Sequence, residues 1–235
     1  SSDQEVAFQA VDYILRVLKK NMVFGMTWGR AMHEFVEQLA KDERLRSLSF
    51  QNVKVVPFLG TPGAIQSDSW NTTTYSNTLA TKVGNLLHCA SYNLSAPMYV
   101  EGTKEKELIE SIDEIAKVLH MAETADIALI GIGSMQDDSS IIKAEIRTKE
   151  EYKELVRKGA VGEIVGRIYD KNGQTVDEDL KRKMVGISLD KIAKIPVRVG
   201  MSYGKDKIEA IKGAIAGGLV NVLVTDVPTA ELLLK

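Results

Sequence analysis

The sequence predicts an α/β fold in which a mostly parallel sheet is covered by helices on both faces. Three observations predict it. Short β-branched apolar runs alternate with segments of helical period along all 235 residues. Glycine turns join many of them. The closing stretch, IPVRVGMSYGKDKIEAIKGAIAGGLVNVLVTDVPTAELLL, contains the whole pattern: strand, glycine turn, helix, Gly-Gly stop, strand, turn and helix. Within it, 196–200 and 220–224 are apolar strands. Ile208, Ile211, Ile215 and Leu219 recur at helical spacing, and Gly217-Gly218 ends that helix.

The remaining elements follow in order. Residues 5–20 form an amphipathic helix with Val6, Val11, Ile14, Leu15 and Leu18 on one side. A strand over 22–26 runs through the turn Thr27-Trp28-Gly29-Arg30 into a helix over 31–45. A second strand spans 53–59 and is ended by Gly60, Pro62 and Gly63. After the polar loop QSDSWNTTTYSN comes a helix over 77–90, then an acid- and lysine-rich helix over 104–121. The strand 126–132 leads into Gly131-Ile132-Gly133-Ser134 and the acidic, serine-containing loop MQDDSSI. A helix over 149–158 precedes an alternating strand over 161–170, which reaches the turn Lys171-Asn172-Gly173. The insertion at 161–179 has hairpin character and reads as a small lobe or lid. A short helix, LDKIA, then precedes the closing unit.

Composition narrows the function classes. A net charge of −2 and a pI near 6.0 give no overall attraction to nucleic acid. The run Lys181-Arg182-Lys183 is short and flanked by acids, as a solvated face would be. Cys89 is the only cysteine, so an intrachain disulfide is excluded and a cytoplasmic setting is expected. No apolar run approaches the roughly 18 residues that span a bilayer. His33, His88 and His120 are far apart and without ligand spacing, so neither a metal nor a cofactor is expected.

Four places could carry chemistry. In GMTWGR, 25–30, a strand enters a glycine turn that opens a helix. The unpaired N–H groups there favour an anion, with Thr27 as a cap and Arg30 as a charged partner. An ordinary strand–helix connection explains the same residues. Gly131 and Gly133 allow either close ligand approach or only a tight turn. Lys207, at the start of a helix after Gly204, suits a bound anion or plain solvation. Glu163 and Asp170 are paired carboxylates for acid–base work, for sugar hydroxyls or for solvent. Asp226, ahead of Pro228, reads as a cap of the last helix or a rim contact. Asn71 to Thr74 suits hydroxyl reading or a surface turn.

Together these pieces resemble the effector-binding domain of SorC-type, sugar-responsive bacterial transcription regulators. The matching stretches are GMTWGRAM (25–32), VVPFLG (55–60), LSAPMYV (94–100), ADIALIGIGS (125–134), VGEIVGRIYDKNGQTV (161–176) and KIEAIKGAIAGGLVNVLVTDVPTAELLL. The resemblance implies a Rossmann-like fold similar to glucosamine-6-phosphate deaminase and ribose-5-phosphate isomerase. It implies a phosphorylated sugar as effector, assembly into homodimers or homotetramers, and operator DNA bound by an N-terminal domain outside this sequence. Residues 1–235 are then the effector-binding and oligomerisation domain.

In that family the first glycine turn and a K-x-x-A-I lysine hold the phosphate. Here these positions are Trp28, Gly29, Arg30 and Ala31, and Lys207. Glu163 matches the acidic GEI position and Asp170 the hairpin acid. The predicted ligand set is Thr27, Trp28, Gly29, Arg30, Ala31, Gly60, Gly133, Glu163, Asp170, Tyr203, Gly204 and Lys207. Two departures concern the effector: Ala31 stands where the family commonly has Thr, and Ser202-Tyr203-Gly204 where it has A-G-G. The leading expectation is a non-enzymatic sensor. The alternative is a sugar-phosphate isomerase or deaminase with Glu163 or Asp170 as base.

Overall fold

The computed structural model describes residues 2–62 and 72–235. The chain opens with α1 (Ser2–Val17), followed by β1 (Val23–Met26), α2 (Arg30–Leu39) and β2 (Lys54–Pro57). Next come α3 (Ser76–Leu87), the edge strand β3 (Ala90–Ser91), α4 (Thr103–Glu110), α5 (Asp113–Glu123) and β4 (Ile127–Gly131). Then follow β5 (Gly133–Ser134), α6 (Ser140–Lys143), α7 (Lys149–Arg157), β6 (Ala160–Ile164) and β7 (Arg167–Asp170). The chain closes through α8 (Glu178–Lys183), α9 (Leu189–Ile192), β8 (Val197–Met201), α10 (Ile208–Ala216), β9 (Val222–Val224) and α11 (Val227–Leu233).

Six strands form one sheet in the order β3-β2-β1-β4-β8-β9, and every pairing is parallel. Counted along the chain, these strands are arranged 3-2-1-4-5-6, the doubly wound order that reverses between the first and the fourth. Ligands of such sheets bind outside the carboxyl ends of the strands at that reversal. Here it lies between β1 and β4.

The period-two alternation of strands divides the core. Phe24, Met26, Val55, Ile127, Leu129 and Val199 pack with α1 and α2 residues such as Val11, Ile14, Phe35 and Leu39. Val56, Ala128 and Ile130 face the other side, with Ile164, Ile168, Ala210 and Ile211. Phe24 and Phe35 meet edge to face, their centroids 6.4 Å apart.

Several elements differ from expectation. The strand expected at 161–170 is a hairpin, folded at Val165 and Gly166, which both have positive φ (55° and 69°). Two such residues give the tight reversal that matches strand twist. With β5 the hairpin forms a three-stranded antiparallel sheet. It is sealed to the main body: Tyr169 OH donates to the Ala210 carbonyl at 2.9 Å, and Ile164 and Ile168 share the core of one sheet face.

The helix expected at 104–121 breaks into α4 and α5. Ser111 Oγ donates to the Leu108 carbonyl at 2.7 Å, and Ile112 is extended. The helix expected to run to 45 ends at Leu39, and a short 3-10 turn follows, capped by Asp42. The helix expected to reach 90 stops at His88, whose left-handed φ of 52° turns the chain into β3. Ile215, expected on the apolar face, is exposed; Ala210, Gly213 and Ala214 are buried instead. Their small size lets α10 meet the hairpin: a Cβ on Gly213 would lie 2.8 Å from the Asp170 carbonyl oxygen.

Candidate functional site

Three turns meet at the carboxyl edge: that after β1, that around β5, and that after β8. They enclose a cleft of about 560 Å³.

The first turn begins with Thr27. Its side chain is fully buried and accepts the Gly131 N–H at 2.9 Å, fixing the end of β4 against the end of β1. Thr27 is therefore a strand clamp and is not among the residues lining the cleft. Thr27→Val preserves shape but orphans the Gly131 N–H, so it should cost about 1–2 kcal/mol. Urea denaturation, read as a lower midpoint with unchanged slope, checks this.

Trp28, Gly29, Arg30 and Ala31 all line the cleft. Gly29 has φ 109° and ψ 177°, a conformation open to glycine alone. It is the N-cap of α2 and, having no side chain, gives the first-turn N–H groups of α2 no side-chain cap. The Gly29 N–H itself donates to the Thr74 carbonyl at 2.9 Å, which brings Thr74 to the cleft wall. Asn71 and Gly63 lie outside the described residues.

The second turn supplies Gly131, Ile132, Gly133 and Ser134. Gly133 pairs with Glu163, and a Cβ there would lie 2.8 Å from Glu163 Oε2, so the glycine admits the carboxylate. Glu163 is buried at the cleft floor. It accepts the Gly166 N–H of its own hairpin turn and a hydrogen bond from the Trp28 side chain. Burial pushes its carboxyl above the usual carboxylate range, while the Gly166 and Trp28 hydrogen bonds and the Lys207 charge oppose that shift.

A carboxyl raised in the native state binds its proton more tightly than in the unfolded chain. Its contribution to stability is therefore fully present at low pH and falls as pH rises from about 4.5, its ordinary value, through the raised native value. Glu163→Gln should remove that dependence. The stability of wild type relative to the variant, by urea unfolding at pH 4 and pH 7, should fall at the higher pH.

The third turn carries Ser202, Tyr203, Asp206 and Lys207. Gly204, with φ 106°, starts a 3-10 turn over Lys205–Lys207 and donates its N–H to Thr229 Oγ1 at 2.8 Å. Lys207 thus sits at the N-cap of α10 rather than within its first turn. Gly204 positions the turn without appearing in the cleft wall.

Besides Thr27 and Gly204, two further predicted ligand residues are absent from the cleft wall. Gly60 packs against the backbone of Ala96 and Pro97, with its N–H bonded to the Val185 carbonyl at 3.1 Å. Asp170 closes the turn after β7: Oδ1 accepts the N–H groups of Asn172 and Gln174, both at 2.9 Å. Asp226 caps α11, accepting the Thr229 N–H at 3.0 Å. Cys89 lies away from the cleft, and burial pushes its thiol up to about 11, which suits a packed side chain.

Sequence reasoning did not single out Asp3, Glu34, Asp138, Ser139, Ser140 and Lys143, and weighed His33 only as a metal ligand; all of them line the cleft. Asp138 to Lys143 lie in and just after the acidic serine loop. Its position directly beyond a strand-end glycine pair was the signal available.

No helix among the described residues is long and apolar enough to cross a membrane. The whole chain, residues 1–235, matches the family model of a sugar-binding domain. The sorbitol operon regulator of Klebsiella pneumoniae is 30% identical over 222 residues, covering 94% of this chain and 67% of that protein. Transcriptional regulator LsrR of Escherichia coli K12 is 30% identical over 230 residues, covering 96% and 67%. Among solved structures, the full-length sorbitol operon regulator SorC of Klebsiella pneumoniae superposes with a TM-score of 0.87 at 29% identity. That match covers 100% of this chain and 75% of that one. A transcriptional regulator from Streptococcus pneumoniae TIGR4 gives 0.86 at 25% identity, covering 99% and 84%.

Proposed function

The chain belongs to the family of sugar-binding domains of SorC-type transcriptional regulators, and from that premise we propose that its cleft binds a phosphorylated sugar as a regulatory effector. One observation carries the reading: the uncapped start of α2, with Arg30, and Lys207 line the same cleft at the sheet's reversal point. Helix N–H groups, a guanidinium and an ammonium converging on one space suit a phosphate. Glu163 and Ser134 line the same cleft, which supports them as partners for sugar hydroxyls.

The effector acts by differential affinity for two states of a longer regulator whose DNA-binding domain precedes this one. Those states differ in how copies of this domain assemble, as dimers or tetramers. The relatives' names, operon and transcriptional regulators, support that role.

Binding without turnover is the favoured reading. Asp170 is committed to its own turn, so Glu163 is the one of the two candidate bases in the cleft. A thermal-shift panel of hexose and pentose phosphates against the unphosphorylated sugars tests both parts. A rise in melting temperature with phosphates alone, and unchanged ligand by NMR, supports the sensor. Conversion of any sugar phosphate would establish the isomerase or deaminase reading. No shift with any phosphate would remove the proposal.

A further inference from the structure

Each of two cations in the cleft already faces a carboxylate. Arg30 Nη2 lies 3.3 Å from Asp138 Oδ2, joining the start of α2 to the loop before α6. Lys207 Nζ lies 4.0 Å from Asp206 Oδ2, and that oxygen also accepts Ser134 Oγ at 3.3 Å. All five residues line the cleft. The other charged side chains there are Asp3, Glu34, Lys143 and Glu163, so carboxyl groups outnumber the Lys and Arg cations. An anion approaching Arg30 or Lys207 as the cleft stands meets a cation that already faces a carboxylate.

We propose that Asp138 and Asp206 are specificity-determining residues: stand-in anions that the ligand's phosphate displaces from Arg30 and Lys207. The proposal rests on the anion-binding reading above. Arg30 and Asp138 are 81% and 62% exposed, and an exposed pair of this kind is weak and readily exchanged. A phosphate dianion can replace it because it brings two charges and several acceptor oxygens, enough to satisfy both cations together. A neutral sugar replaces neither carboxylate, and a monocarboxylate at most one. The two aspartates therefore set a threshold that favours phosphorylated ligands.

The Arg30–Asp138 pair also spans two elements. Asp138 is followed by Ser139, which caps α6 by accepting the Ile142 N–H at 3.3 Å, and Ser139, Ser140 and Lys143 line the cleft. The Arg30–Asp138 pair therefore joins α2 to the stretch that opens α6, on the facing wall of the cleft.

Calorimetric titration with inorganic phosphate and with acetate tests the proposal, on wild type, Asp138→Asn, Asp206→Asn and the double variant. Arg30→Gln serves as control. Each aspartate variant should bind phosphate about five- to tenfold more tightly, as expected from losing one competing carboxylate and its repulsion. The double variant should also lose much of the preference for phosphate over acetate. Phosphate affinity unchanged or weakened in the aspartate variants, with Arg30→Gln still impaired, overturns the stand-in role and leaves the anion site standing. Phosphate binding by none of the proteins overturns both.

Discussion

Lys207→Ala should abolish the thermal stabilisation by sugar phosphates while leaving the melting point of the ligand-free protein within about 1 °C of wild type. Lys207 Nζ makes one ion pair among the described residues, a loose one 4.0 Å from Asp206. An ion pair of that kind adds little to folding. A charge-assisted bond from an ammonium to phosphate is worth about 1.5–3 kcal/mol, so its loss should weaken binding about 10- to 150-fold. Arg30→Gln should act in the same direction. It should act less strongly, because the Arg30 side chain is 81% exposed and solvent screens its charge. A Lys207→Ala protein that keeps the full ligand response would place the phosphate elsewhere.

Gly25→Ala should be among the most destabilising single-methyl additions in the chain. Gly25 sits in central strand β1, paired on both sides with β2 and β4. A Cβ there would lie 2.0 Å from the Phe58 ring, far inside contact distance. Phe58 is itself fully buried, in the core on that face of the sheet. Overpacking of this kind costs about 3 kcal/mol, the upper end of the usual range. Urea denaturation of Gly25→Ala should show that loss. Adding Phe58→Leu should recover part of it, because the smaller side chain vacates the ring's space. A Gly25→Ala protein as stable as wild type would mean that the Phe58 ring moves aside without penalty.

The balance between what was legible and what was not follows from the range of the interactions involved. The strand–turn–helix unit at 23–39 was readable because a β-branched run, a glycine turn and a helical period are all local signals. The same holds for Asp226, whose capping of α11 depends on residues within three positions. The sheet order was not readable, since nothing local in Phe24 says that it pairs with Ile127. The hairpin at Val165-Gly166 was read as continuous strand because a positive φ at valine is unfavourable. Packing around the turn, and the Glu163 side chain accepting the Gly166 N–H, hold it there.

The cleft shows the same division. Trp28, Gly29, Arg30 and Lys207 came from turn and helix-start signals and from the family motif. Asp138, Ser139 and Lys143 enter the cleft from a loop whose position is set by the tertiary fold. Gly60 and Asp170 match family stretches, but their immediate contacts are with backbone: Ala96–Pro97 for Gly60, and the hairpin turn for Asp170. A motif can place a residue in the correct segment without placing it at the ligand. Thr27 is an intermediate case. It belongs to the right turn, yet its hydroxyl is committed to Gly131, so it supports the site from beneath.

A crystal structure of the chain with the sugar phosphate that gives the largest thermal shift tests the central claim most directly. The account predicts the phosphate within hydrogen-bonding distance of the first-turn N–H groups of α2 and of Lys207 Nζ, with the sugar over Glu163. A phosphate bound away from both α2 and Lys207 would contradict it.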